Sequence, residues 1–183
     1  MIDLTRRALP DTIEVGGRAF SIHTDFQVWI RFVLDFEAWD RTGELDISYL
    51  FVDRKPVFRK MEDYAGIFAF AWPPCELPRA GTDGAAAKLF DYRLDSDYIY
   101  AAFMQQYHLD LLSAKLHWHM FLALFKGLDG TKLNEIMGYR AYTGGKARSQ
   151  DEVYRKLRNA WELPVPETME EKELEEEFDR YFE

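Results

Sequence analysis

The chain has little of what most enzymes and membrane proteins depend on. One cysteine in 183 residues, Cys75, excludes an internal disulfide and a thiolate zinc cluster, and no histidine lies close to it in sequence to suggest a nucleophile. Four histidines are too sparse to form an obvious metal-binding run. No run of 18 apolar residues appears, so no segment is expected to span a membrane. The opening MIDLTRRALP lacks the apolar centre of a signal peptide, and a cytoplasmic location is expected. Basic residues are outnumbered, 23 Lys and Arg against 32 Asp and Glu, and no basic stripe is evident, which argues against nucleic acid as a partner.

What remains points to a folded, largely helical protein. Apolar residues make up 48% of the chain and aromatics 16%, enough for a packed core rather than a disordered segment. The net charge of −9 is concentrated at the end, since residues 167–183 carry −7 of it. The expected organisation is one helical domain over residues 1–163, with a mobile connector near residues 76–88, followed by an acidic tail over residues 164–183. The expected fold class is mostly α with a small N-terminal β-hairpin.

The hairpin is read from Thr12–Val15 and Arg18–Ile22 around Gly16-Gly17, two glycines that can both adopt positive φ in a tight turn. Ile13, Val15, Phe20 and Ile22 would face a core, and so short a hairpin must lean on helices. Thr24 or Asp25 would cap a helix reaching about Trp39, its face carrying Phe26, Trp29, Ile30, Val33, Phe36 and Glu37, with Gly43 closing it. Leu45–Val52 fits a strand or a short helix equally. Arg59–Trp72 reads as a helix with Met61, Tyr64, Ala65, Phe68 and Ala71 on one side. Ser149 would cap a helix to Trp161 that buries Val153, Leu157 and Ala160 or Trp161. In the tail, Leu174, Phe178, Tyr181 and Phe182 form a thin apolar stripe on a charged background.

Leu89–Lys146 organises the rest. A helix beginning at Asp95 or Ser96 would carry Tyr98, Ile99, Ala102, Phe103 and Gln106. A corner at His108–Asp110 leads into a second helix over Ser113–Lys126 with Ala114, Trp118, Phe121, Leu122 and Phe125 on one face. Gly127, Asp129 and Gly130 stop it, and Thr131 caps a third helix through Leu133, Ile136, Met137 and Arg140, ended by Gly144-Gly145. The runs DYRLDSDYIYAAFMQQYHLDL, LHWHMFLALFKGL and IMGYRAY resemble the gene-product-fifteen family of tailed bacteriophages and prophages of Gram-positive bacteria. The likeness covers roughly residues 89–143. Two positions depart from the family pattern: His108 stands where glycine is usual, and His119 where a second tryptophan is common.

The resemblance implies a protein of the bacterial host cytoplasm that serves tail morphogenesis. It would be a tail assembly chaperone binding the tape-measure protein or an upstream tail chaperone. The alternative is a minor structural tail component retained in the virion, and homo-oligomerisation stays open. The residues themselves offer no acid/base pair or triad, so an enzyme is not expected, and no cofactor is implied. His117 and His119, if helical, would point about 200° apart and could not close on one ion, with His119 falling beside Lys126. Asp91, Asp95 and Asp97 lack the glycine and terminal glutamate of a calcium loop and read as capping residues. Gly81–Gly84 and Gly144-Gly145-Lys146 lack phosphate-loop spacing. The stripe Trp118, Phe121 and Phe125 is first of all a core stripe. With Tyr107 and Tyr142, and with Leu174 and Phe178 of the tail, it also supplies the candidate partner-binding residues for an amphipathic helix. A tail competing for that groove until a partner displaces it is a further expectation.

Overall fold

A computed structural model describes residues 2–43, 45–74, 88–145 and 147–164; Cys75, the connector and the tail stripe with Leu174 and Phe178 lie outside these residues. The described residues form a two-stranded antiparallel hairpin and six α-helices, so the fold is mostly α with a small β part. The chain divides into two compact units, residues 1–86 with 91–135, and residues 87–90 with 136–183.

In the first unit, β1 (Thr12–Val15) pairs with β2 (Arg18–Ser21) in the register Ile13↔Phe20 and Val15↔Arg18. Gly16 and Gly17 take φ of +56° and +76°, the left-handed pair that a two-residue hairpin turn requires. Ile13, Val15 and Ile22 are buried, and Phe20 is half-buried. Asp25 caps α1 (Phe26–Ala38) by accepting the Gln27 N–H, and the helix buries Phe26, Trp29, Phe32 and Val33. Phe32 belongs to the face that periodicity alone did not select, whereas Glu37 is exposed. The helix stops before Gly43, in a turn where Asp40 accepts from Thr42 and Arg41 adopts φ of +67°.

Leu45–Val52 is neither strand nor helix. It makes one 3-10 turn, Ser48–Leu50, and a bridge in which the Val52 N–H reaches Ser21 O and the His23 N–H reaches Leu50 O, extending the hairpin by a short third segment. The helix expected over Arg59–Trp72 is a 3-10 turn, Met61–Tyr64, followed by α2 (Ala65–Ala71). Its buried side is Asp63, Ile67, Phe70 and Ala71; of the expected face only Ala71 is buried, while Tyr64 and Phe68 are half-buried and Met61 and Ala65 exposed. Close approach decides this. A Cβ on Gly66 would meet the Glu14 carbonyl oxygen at 2.8 Å and Ile13 Cβ at 3.3 Å, so α2 lies on β1 by its glycine and turns Met61, Tyr64 and Phe68 away.

Later in the unit come α3 (Ser96–Tyr107) and α4 (Trp118–Lys126). The Asp95 carboxylate does not cap α3; it is buried and accepts the Asp91 N–H, closing the preceding turn. His108 follows α3 with φ of +51°, a left-handed residue at the position usual for glycine in such a corner. The second helix begins at Trp118, five residues after Ser113, because the chain before it is claimed by another partner. The Phe26 N–H donates to Leu116 O at 3.0 Å and the Trp118 N–H to Thr24 O at 2.7 Å, an antiparallel bridge that holds 116–117 extended. Thr131 then opens α5 (Lys132–Arg140), its hydroxyl and N–H both donating to Asn134 Oδ1.

In the second unit, α6 (Arg148–Ala160) begins without a side-chain cap, so Ser149 lies inside the helix, and Val153 is 54% exposed where burial was expected. Polar contacts to the end of α5 hold the helix: Tyr142 donates to Asp151 at 2.6 Å, Arg140 donates to Trp161 O and Leu89 O, and Tyr154 rests on Tyr139 and Tyr142.

Gly66→Ala is expected to cost about 1–3 kcal/mol in chemical denaturation, because backbone on both sides must move. Gly138→Ala, helical and open on its Cβ side, is expected to gain about 0.5–1 kcal/mol and serves as the control. His108→Gly should raise the melting temperature by about 2–4 °C, since the left-handed conformation costs a side chain on the order of 1 kcal/mol that glycine does not incur.

Candidate functional site

Among the sequence-selected residues, Trp118 and Phe121 are 1% and 0% exposed. They form the core of the first unit: Phe121 stacks between Phe26 and Phe103 at centroid distances of 4.9 and 5.2 Å, and the Trp118 indole N–H donates to Ala71 O. Neither is at a surface a partner can reach. Phe125 is half-buried against Phe121 and Tyr92. Tyr107 is a strut, its hydroxyl donating to Leu124 O at 2.9 Å to join α3 to α4. Tyr142 belongs to the second unit and is bonded to Asp151. The four candidates in the first unit therefore do not form one open groove.

The histidine pair also differs from its expected placement. His117 is not helical but caps α4: its Nδ1 accepts the His119 N–H at 3.0 Å, so its ring proton is on Nε2, which donates to Pro10 O at 2.9 Å. Because the cap residue leaves the helical path, the two rings come within 5.2 Å of each other instead of pointing apart. His119 is buried against Phe70, with Nε2 donating to Phe70 O at 3.0 Å, and lines a small pocket together with Lys126. Burial holds its imidazole down at about 4, below the usual histidine value, the bond to Phe70 opposing that shift only in part. Among the described residues, no three His, Cys, Asp or Glu side chains are grouped to hold a metal ion, and no helix is long and apolar enough to cross a membrane.

An aromatic groove that periodicity did not pick out lies in the first unit, between the second half of α1 and α2. It encloses about 490 Å³, lined by Phe32, Phe36, Trp39, Met61, Tyr64 and Phe68, with Leu45 and Ile47 beneath. Phe36 is the hub, with its ring 5.4 Å from both Phe68 and Trp72 and 6.2 Å from Trp39. Met61 in the lining is 75% exposed, and Trp72, which packs on Phe36 and Phe68, is 43% exposed. These are the residues that Gly66 turns outward when α2 seats on β1. The sequence signal was present, since Met61, Tyr64 and Phe68 of the stripe read on one side of Arg59–Trp72 line the groove.

Residues 74–163 match the family model described as bacteriophage Gp15 protein. Residues 74–163 belong to the bacteriophage Gp15 family. Neither the curated proteins nor the solved structures compared with it contain a match. The Gp15 match takes in α3 to α6, whereas the groove is built from residues before it. Of the residues that carried the resemblance, Phe103 in IYAAF and Phe121 in LHWHMFLALF stack α3 on α4, while Trp118 and His119 reach α2.

Stability should fall between pH 7 and pH 4. The folded His119 ring resists protonation down to about 4 whereas the unfolded ring takes a proton near 6.5, so the unfolded state binds more protons across that window. The loss is on the order of 3 kcal/mol by pH 4. His119→Gln, which keeps a donor for Phe70 O but does not titrate, should flatten the profile of denaturation midpoint against pH.

Proposed function

We propose that this phage protein has a non-catalytic, binding role in tail assembly, as a chaperone-like protein that takes an amphipathic helix of the tape-measure protein or of a co-chaperone into the aromatic groove of its first unit. The observation that carries the proposal is the groove itself: a concave, mainly apolar surface with an exposed, flexible methionine and one cation, Arg41, in its lining. Membership of the Gp15 family supplies the phage context, and the family resemblance supplies the tail-assembly reading. Soluble domains seldom leave such a surface uncovered without a use for it.

The size of the groove sets the kind of complex. A cavity of this volume receives two or three side chains of a helix, at about 1.5–3 kcal/mol of burial each. Association costs on the order of 4–15 kcal/mol, so one groove and one helix make a reversible complex. Reversibility suits a protein that must yield its client when tube subunits polymerise around it.

Co-expression with the tape-measure protein of the same genome, followed by cross-linking, capture and a solubility comparison, tests the reading. Capture with rescued solubility is expected, and Met61→Glu should abolish both while leaving the melting temperature within about 2 °C, since an exposed side chain is replaced. Failure to capture, with any upstream tail gene product also present, overturns it. Mass spectrometry of purified particles should find the chain missing, and its presence in stoichiometric amount would favour a structural tail component.

A further inference from the structure

A second concave surface of the first unit has the opposite chemistry. It lies where β2 and its turn face the loop 54–60, encloses about 720 Å³, and is lined by Arg18, Arg54, Lys55, Arg59 and Lys60 around Phe20, Pro56 and Val57. Asp63 is the one acid in the lining, and it is spent on the backbone: buried, it accepts the Arg59 N–H at 2.8 Å and the Lys60 N–H at 3.2 Å, fixing the loop that carries the cations. Arg18, Arg54, Arg59 and Lys60 are exposed and make no ion pair with the described residues. Five cations converge on one cleft in a chain of net charge −9.

We infer that this cleft is a docking site for a short acidic segment of a partner polypeptide, one that alternates carboxylates with apolar side chains. Charge complementarity selects an anion. Two features select a peptide over a nucleic acid. Val57 is 75% exposed among the cations and Phe20 is half-buried beside it, an apolar component that a sugar-phosphate backbone does not use and a peptide side chain does. The net negative charge of the chain also works against a long polyanion extending past the cleft, whereas a short segment sees mainly the five cations, within a screening length of about 8 Å. The basic cleft shares no lining residue with the aromatic groove, so the two sites can be lost separately.

The test uses the full chain and fluorescence anisotropy at low and at physiological salt. The probes are a fluorescein-labelled peptide alternating glutamate with valine and phenylalanine, the same peptide with glutamine for glutamate, and a labelled oligothymidylate of equal charge. The glutamate peptide is expected to bind, with affinity falling at least about tenfold for the glutamine peptide and for the double variant Arg54→Glu, Arg59→Glu. Both arginines are exposed, and an unchanged melting temperature certifies the variant's fold. Met61→Glu should leave this binding intact, which separates the cleft from the tail-assembly reading. No binding of the glutamate peptide, or binding that ignores the charge reversal, overturns the inference. So does an oligothymidylate that binds more tightly than the peptide and is lost in the double variant, which would assign the cleft to nucleic acid.

Discussion

The first unit depends on one short backbone exchange between chain segments some ninety residues apart. Thr24–Phe26 and Leu116–Trp118 trade two hydrogen bonds, and that bridge fixes where α1 and α4 both begin. With the helix starts fixed, Phe26 and Phe121 stack across the helix pair, and Trp118 and His119 reach α2 to donate to the Ala71 and Phe70 carbonyls. The last two bonds matter because a helix C-terminus leaves carbonyls unpaired, and burying them without donors would be costly. The bridge and the two side-chain donors therefore join α1, α2 and α4 in one core.

The same constraint accounts for the exposed surfaces. With its last turn held by Trp118 and His119 and its first turn pressed by Gly66 onto β1, α2 has no rotational freedom left. Its remaining aromatic stripe must face outward, where it meets the second half of α1 to make the groove. Next to α2, buried Asp63 fixes the basic loop by its backbone N–H groups, and the cations of that loop line one cleft with Arg18. One small hairpin thus seats an apolar helix and supplies one wall of a cationic cleft.

Periodicity and capping residues were enough to find the hairpin, α1, α3, the third helix of the central stretch and the helical character of the whole, because each is dictated by contacts a few residues apart. The Gly16-Gly17 turn, the Asp25 cap and the Thr131 start all stand where local chemistry puts them. The family resemblance was legible for a related reason: the residues that carried it pack neighbouring helices. The start of α4 was not legible, since Ser113–Lys126 has helical spacing throughout and only a distant strand-like partner holds 116–117 extended. Nor was the approach of the two histidine rings, since helical spacing points them apart and only the cap turns His117 out of the helix.

The sequence by itself determined a mostly helical protein with a glycine-turned hairpin and an aromatic centre, because composition and local spacing are properties of the chain alone. Tertiary structure decided which aromatic stripe is core and which is surface. Trp118 and Phe121 lie inside, and Phe36, Met61, Tyr64 and Phe68 line a groove, though both sets show helical spacing. It also decided that four cations in the run DRKPVFRK would meet Arg18 in one cleft instead of scattering over a solvated loop. The physical reason is the same for both. Which face of a helix or loop is buried depends on the partner that comes closest, and here the partners are a glycine-sized approach to β1 and a carboxylate buried under the loop, neither of which spacing along the chain records.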